Sequence, residues 1–430
     1  MNRRTFLQNV VGGSAASLAA LKELNAAIYS DMARLGSETQ DPFSPDGTYW
    51  EGIRKHYLFE DNLIMMNNGT VGPMPKPVFN TLVNYLEVQV KSPCDCYLYL
   101  PSLVDGVRVK LAQFIKADAD EVAITRNTTE GINFFVHGLD LNNGDEVVMS
   151  DLEHPGGVNP WKMKAKRYGV TVKEFHLGVP PRDVDEIVES FKKTVTPRTK
   201  VLFISHTVYI TGLISPMKEL SEEAHKRGIL VLADSAHGAG MLNTDVHTLG
   251  VDAWCSSPYK WMGAPPSVGV FYVKRDVQDR IWPTIATSGW DTYKTAQRYE
   301  TLSQRADALA LALGEAIEFQ NRIGRARIER RIHTLAAHLR NRLQDIPGLR
   351  LHTNTDHYLS AGLTAFSIKG VNGGELVDYL REKHNIVVRT IGSEQKGTLG
   401  VRVSTHIFVT LKDVDLLAEG VRAYLNRIRA

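Results

Sequence analysis

Three cysteines in 430 residues are too few for a disulfide framework. Cys94 and Cys96 stand one residue apart, a poor spacing for a bridge or a standard zinc site. Cys255 lies in an apolar run and reads as packing. No apolar run approaches a membrane span in length. Charge of one sign is also missing: the net is +2, with no long basic or acidic block. The densest basic segment, Asn321–Leu343, carries Ile328, Ile332, Leu335, Leu339 and Leu343 at helical spacing. Its arginines therefore read as a solvated helix face, not as a nucleic-acid surface. The chain has no Walker-type loop, no nucleophile-elbow serine, no paired CxxC, no repeat and no low-complexity segment. What remains is the composition of a globular enzyme, with length enough for two domains.

The informative stretch runs from Val231 to Pro266. The apolar run Ile229–Ala233 reads as a buried strand that delivers Asp234 and then His237. A second short strand, Ala253–Cys255, delivers Ser256, Ser257, Tyr259 and Lys260. Open α/β sheets bind ligands at the carboxyl ends of their strands. A lysine and a carboxylate placed there suit pyridoxal phosphate: the amine forms a Schiff base with the aldehyde, and the acid keeps the pyridine nitrogen protonated. Taken singly, such residues are more often a surface lysine and a helix-capping aspartate.

The rest of the chain supports the same architecture. Strands are expected at Val122–Thr125, Glu146–Ser150, Val170–His176, Val201–His206 and Val268–Lys274, with helices between them. That alternation implies right-handed crossovers and a mostly parallel sheet. After Val122–Thr125, Asn127 and Glu130 have capping-box spacing. The helix start they mark, flanked by the hydroxyls of Thr128 and Thr129, can take a phosphate, although an ordinary helix cap explains it equally well. His154 and Tyr209, like Asp234 and Lys260, fall at or just after strand ends. His154 either lies against a cofactor ring or caps a loop. Asn68, in the Gly/Pro-rich loop that follows LIMM, sits where backbone could approach a ligand, although turn chemistry alone explains it equally well. From about Arg325 the pattern changes to a compact α+β unit. Its strands, Ile386–Thr390 and Gly400–Ser404, hold Arg389 and Arg402, each placed for an ion pair or a carboxylate clamp.

At the other end, Arg3-Arg4 followed by Thr5, Phe6 and Leu7 resembles a twin-arginine export signal, with Val10–Ala20 as its apolar region. The expected division is therefore signal and spacer over residues 1–46, an N-terminal segment over 47–75, a large cofactor-binding domain over 76–315 and a small C-terminal domain over 316–430. The expected location is periplasmic, or cytoplasmic if the segment is an ordinary amphipathic helix.

From about Asn67 onward these motifs, in this order, resemble the class V aminotransferase family of fold-type I pyridoxal-phosphate enzymes, a group that includes cysteine desulfurases, isopenicillin N epimerase and kynureninase. The resemblance implies an α/β fold of the aspartate aminotransferase type, with a small C-terminal α+β domain. It implies Thr128, Thr129 and Ser257 at the cofactor phosphate, and His154 stacked on the ring. Asp234 goes to the pyridine nitrogen, His237 and Tyr209 to the ring oxygen, Lys260 to the aldehyde and Arg402 to the substrate carboxylate. It also implies a homodimer with shared active sites, in which Thr287 reaches the partner's phosphate. Tyr259 stands where many members have histidine. Tyr209 stands where desulfurases have asparagine. No cysteine occurs between Arg389 and Arg402, where desulfurases carry their sulfur nucleophile. The wording NNGTVGPMP and TRNTTEGIN is similar to the isopenicillin N epimerase-like branch. Together with an export signal, the chain is similar to periplasmic enzymes that tailor pyoverdine side chains.

The expected substrate is a small amino acid or a compound containing one, with no nucleic-acid or membrane partner and no metal. Lys260 removes the α-proton as general base. Three fates then diverge: transamination, which is the first expectation; epimerisation or racemisation; and loss of a β-substituent in a C–S or other lyase reaction. Two other classes compete. A metallohydrolase would use His154, His206, Asp234 and His237 but leaves Lys260 without a role. A binding protein that had lost its chemistry would be expected to lack the lysine or the aspartate, and both are present.

Overall fold

The computed structural model describes residues 15–38, 48–287, 290–392 and 400–429. The first strand, β1 (Ile64–Met65), is short. The large sheet takes the next seven: β2 (Val122–Thr125), β3 (Glu146–Ser150), β4 (Thr171–Phe175), β5 (Thr199–Ser205), β6 (Leu230–Asp234), β7 (Ala253–Ser256) and β8 (Gly269–Val273). Their spatial order is β2-β8-β7-β6-β5-β3-β4. The run from β4 through β7 is parallel, and β8 is antiparallel to both β7 and β2. The sheet is thus mostly parallel, as the alternation of strands and helices requires.

Every residue of β3, β6, β7 and β8 is buried. Strands covered on both faces need continuous apolar runs, which is what their sequences supply. The edge strand β4 instead exposes Thr171 and Glu174, and charge on an edge discourages pairing with another chain. One face of the sheet is covered by a core that includes Leu111, Phe114, Leu202, Val231 and Leu313. The other packs Phe134, Phe135, Trp161 and Phe203. The helix Thr128–Gly138 lies so close to the sheet that a Cβ on Gly131 would sit 2.8 Å from the Cys255 sulfur. Cys255 is therefore a packing residue.

A third core joins the N-terminal helices to the C-terminal unit through Trp50, Tyr57, Phe319, Ile332 and Leu417. That unit has a four-stranded antiparallel sheet built from β9 (Leu349–Leu351), β10 (Leu363–Ile368), β12 (Arg389–Ile391) and β13 (Gly400–Ser404), in the order β12-β13-β10-β9. The expected single strand Ile386–Thr390 is two strands. β11 (Ile386–Val387) pairs with β1, while β12 pairs with β13. The run IVVRTI gives no sign of that change of partner. The expected division at residue 316 falls within the helix Asp307–Ile323, whose Leu313 and Ile317 serve the first core and whose Phe319 and Ile323 serve the third. The chain turns at Gly324, with φ 95°.

The twin-arginine segment expected at the N-terminus lies outside the described residues. Part of the expected spacer is the helix Ala15–Glu38, and it is packed into the fold. Met32 and Leu35 are buried in the third core. Gly52 admits Leu35, since a Cβ there would come within 2.3 Å of its methyl. Asp31 pairs with His56 at 3.3 Å, and Arg322 stacks over the Tyr29 ring at 4.1 Å. No helix among the described residues is long and apolar enough to cross a membrane.

Candidate active site

Asp234 ends β6 and is buried, in register with Ser205 at the end of β5. One of its carboxylate oxygens accepts the Ala236 N–H at 3.0 Å. Burial raises the Asp234 pKa, while that hydrogen bond and the charges of Lys260 and His154 pull it down. Lys260 follows β7 and is half-buried. Burial, opposed by Asp234 and reinforced by Arg402 and Arg389, lowers its pKa to about 8. Its amine holds no hydrogen bond among the described residues, so a largely desolvated amine close to neutrality is left free to react.

The loop carrying Lys260 is pinned from several sides. Gly72 N–H donates to the Tyr259 carbonyl at 2.9 Å, and the Asn68 amide donates to the Lys260 carbonyl at 3.3 Å. A Cβ on Gly72 would stand 2.4 Å from that same Lys260 oxygen. His406 Nε2 donates to the Trp261 carbonyl at 2.9 Å, and the Gln320 amide donates to it at 3.2 Å. The Trp261 indole N–H in turn donates to His237 Nδ1 at 3.1 Å. Burial and the surrounding cations hold the pKa of His237 well below its ordinary value. The ring is therefore neutral, with its proton on Nε2.

At the other end of the cluster, Asn127 caps the helix Thr128–Gly138 by accepting the Glu130 N–H. Glu130 reaches back to the Arg126 N–H instead of closing a capping box on Asn127. Thr128 Oγ1 and Ser257 Oγ are 2.7 Å apart, and the Thr128 N–H donates to the same serine at 3.2 Å. Thr129 is exposed beside Gly156, where a Cβ would come within 3.0 Å of its hydroxyl. Hydroxyls and N–H groups at a helix start make an anion cradle.

His154 caps the helix Pro155–Tyr168, with Nδ1 accepting the Gly156 N–H at 3.0 Å. Its ring also meets Tyr209 edge-on, with centroids 4.8 Å apart. Capping and ring contact thus coexist in one residue. Burial first, then Lys260, Arg389 and Arg402, lower the His154 pKa, with Asp234 opposing. Burial raises that of Tyr209. The Tyr209 carbonyl accepts from Arg402 at 2.9 Å. The other arm of Arg402 donates to Asn67 Oδ1 at 3.2 Å and Thr70 Oγ1 at 3.3 Å. Arg389 donates to the same threonine hydroxyl at 3.2 Å.

Asn68, His154, Tyr209, Asp234, His237, Lys260, Arg389 and Arg402 thus form one linked cluster, with Thr128, Thr129 and Ser257 at its helix-start end. Tyr259 is not drawn into it, and Thr287, expected at a partner's phosphate, lies outside it. Tyr259 contributes its carbonyl to the pinning of the loop, and Thr287 donates its hydroxyl to the Thr301 carbonyl at 2.8 Å. His206, which a metal site would need, has Nδ1 3.0 Å from Ser235 Oγ. Among the described residues no group of three or more His, Cys, Asp or Glu is placed to hold a metal ion. A cavity of about 520 Å³ lies apart from the cluster, lined in part by Tyr97, Arg108, Tyr293 and Arg305.

Sequence reasoning missed Glu153, Trp261 and Thr70. Glu153 is buried just before His154. It accepts from Ser150 Oγ and Ser205 Oγ at 2.5 Å each and from Ser205 N–H at 3.0 Å, tying the ends of β3 and β5 together. Burial lifts its pKa to about 7 despite these donors, with Asp234 adding a little. A carboxylate directly between an apolar strand and a histidine was the available signal.

Pyridoxal phosphate fits this set. An acid and a free amine stand together, a neutral N–H donor is fixed beside them, and a hydroxyl-lined helix start supplies the phosphate end. A family model described as aminotransferase class-V matches residues 67–417. Isopenicillin N epimerase of Streptomyces clavuligerus is 30% identical over 87% of this chain and 98% of its own. That of Amycolatopsis lactamdurans is 31% identical, over the same shares. Among solved structures, a cysteine desulfurase from Escherichia coli superposes with a TM-score of 0.76 at 24% identity, over 89% of this chain and 100% of that one.

Proposed function

The chain belongs to the class V aminotransferase family, and on that footing we propose that it inverts the α-carbon of an amino acid or of a compound containing one, as an epimerase or racemase. Its cofactor is pyridoxal phosphate. When bound, that group draws electron density from the α-carbon and so acidifies its proton. Lys260 would hold the cofactor and then move the α-proton, and its pKa of about 8 matches that task near neutrality. Asp234 would keep the pyridine nitrogen protonated, His237 would offer its Nε2 proton to the ring oxygen, and Thr128 and Ser257 would hold the phosphate. Arg402 grips the substrate carboxylate.

One observation carries the choice among fates. The isopenicillin N epimerases align over 98% of their length, and this favours inversion over the transamination expected first from the motifs. Inversion needs a second proton carrier besides Lys260. His154, with Nδ1 engaged by Gly156 and its other nitrogen available, and the Tyr209 phenol stand together in the cluster. A β-lyase of the desulfurase type is the second reading, supported by the shared fold, but the absence of cysteine between Arg389 and Arg402 counts against sulfur transfer.

Holoprotein incubated with single amino acids in D₂O is the test. Deuterium entering at the α-carbon with both enantiomers formed supports inversion. Keto acid with an aminated cofactor indicates transamination, and released sulfide or alkene-derived products indicate the lyase.

Two further parts of this reading concern the setting. A homodimer is supported by the exposed stripe Phe79, Val83, Leu86 and Val90 on the helix Lys76–Lys91, next to exposed Tyr97 and Leu98. Contiguous apolar surface of this kind marks an interface. Periplasmic location rests on Arg3-Arg4 and its flanks. Sedimentation of the holoprotein and fractionation of cells expressing the Arg3→Lys, Arg4→Lys double variant test the two in turn.

A further inference from the structure

Arg389 and Arg402 are direct register partners on β12 and β13, so their side chains leave the same face of the small sheet. Both guanidinium groups donate to one oxygen, Thr70 Oγ1, at 3.2 and 3.3 Å. Their terminal nitrogens are therefore no further apart than those two bonds allow. Neither arginine has an ion pair with an acid among the described residues. Arg402 is buried, its Nε has no partner, and burial together with the Arg389 charge brings its pKa down to about 9. Lys260 adds a third positive charge nearby, and Asp234, which would serve the pyridine nitrogen, pairs with neither arginine.

Two cations held side by side in a half-buried site repel each other. Partial burial strengthens that repulsion, because less water is present to screen it. A fold that keeps both without an acid is arranged for anions brought by a ligand. The cofactor's phosphate belongs to the helix start at Thr128 and Ser257, so it does not serve these two groups. One substrate carboxylate satisfies one guanidinium fork and leaves the other uncompensated.

Resting on the α-carbon reading above, we infer that the substrate is dianionic: an amino acid whose α-carboxylate is held by Arg402 and which presents a second carboxylate, a short chain away, to Arg389. Arg389 thereby becomes the specificity residue. Its half-exposed position at the mouth suits a group that extends beyond the reacting carbon, whereas buried Arg402 suits the invariant end. Thr70, donating to Asn67 Oδ1 at 2.9 Å and accepting from both arginines, sets the spacing between the two anion sites.

The test is titration calorimetry of the pyridoxal-phosphate holoprotein with glutarate and with butyrate, beside proton exchange at the α-carbon of glutamate and glutamine. Glutarate is expected to bind at least about tenfold more tightly than butyrate, as one additional charge-assisted pair provides. Glutamate should exchange faster than glutamine. Arg389→Gln should bring the glutarate-to-butyrate ratio close to one, and Arg389→Lys should give an intermediate ratio that also shows the site is intact. Equal binding of the two acids by the unaltered protein would mean that both guanidiniums share a single carboxylate, and the inference falls. A ratio that Arg389→Gln leaves unchanged overturns it as well. The visible band of the holoprotein and its loss in Lys260→Ala report separately on the α-carbon reading. A glutarate preference in protein that takes up no cofactor would sink that reading while leaving the anion pair standing.

Discussion

The indole N–H of Trp261 donates to Nδ1 of His237 at 3.1 Å, so the residue after the lysine fixes which nitrogen of the histidine carries its proton. His237 is buried and neutral, and its remaining nitrogen must then be an N–H donor. The same tryptophan's carbonyl receives His406 and Gln320. One residue thus couples the lysine loop, His237 and the C-terminal unit.

Trp261→Phe removes the donor while keeping most of the volume. With the tautomer no longer fixed, the hydrogen bond proposed from His237 to the cofactor would be lost for part of the population. Cofactor affinity should fall roughly fivefold to tenfold, the worth of one hydrogen bond of about 1–1.5 kcal/mol. Absorbance titration of the apoprotein with pyridoxal phosphate reads this directly, and circular dichroism checks that the fold survives. Unchanged affinity and an unchanged pH profile of the visible band would contradict the assignment.

Lys260 is largely desolvated, and its pKa is lowered from 10.5 to about 8. Between those values the unfolded chain binds the proton that the folded apoprotein releases, so stability rises with pH across that window. Below pH 8 the full cost is present, on the order of 3 kcal/mol. Lys260→Met in the apoprotein should therefore be more stable than the parent at pH 7, with the gap closing towards pH 10.5. Urea unfolding at a series of pH values measures it. A gap independent of pH would show that the amine is hydrated.

Glu153 has the opposite dependence. Its pKa is raised to about 7, so the folded state holds a proton that the unfolded chain has lost above pH 4.5. Stability from this group falls as pH rises from about 4.5 to 7 and is flat beyond. Glu153→Gln keeps the shape and cannot ionise, so it should gain relative to the parent over that interval, by roughly 3 kcal/mol at most. Infrared detection of the protonated carboxyl at pH 6, lost in the variant, gives an independent reading. A protein whose stability shows no difference between parent and variant across that range would place Glu153 in an ordinary ionised state.

The helix Ala15–Glu38 is packed against the body of the protein. A form lacking residues 1–14 keeps the whole of that helix and serves as the reference. Removal of residues 1–46 uncovers Trp50 and Ile53 and deletes Met32 and Leu35, each buried side chain being worth about 1.5–3 kcal/mol. The longer truncation should lower the melting temperature by several degrees or more, as differential scanning calorimetry will show. Equal melting of the two truncated forms would mean that the helix adds nothing to the body.

The elements most legible in the sequence were those whose signal is local. A short run such as Ile229–Ala233, bounded by polar residues, reads as a strand buried on both faces, and a polar residue directly after it then falls at the sheet's carboxyl rim. That argument placed Asp234 at the end of β6 and Lys260 just after its neighbour β7. It failed where one local pattern allows two partners. Ile386–Ile391 splits between β1 and β13, and His154 both caps a helix and meets Tyr209.

The amino-acid order by itself determined the sheet, the rim and the reactive pair standing on it, because backbone periodicity and strand ends act over a few residues. Only the folded chain decided who fixes whom. Trp261 meets His237 across 24 positions, Glu153 meets Ser205 across 52, and Arg402 meets Asn67 across 335. A hydrogen bond depends on distance and angle to within a few tenths of an ångström, and no sequence spacing carries that information until the packing of separate elements has set it.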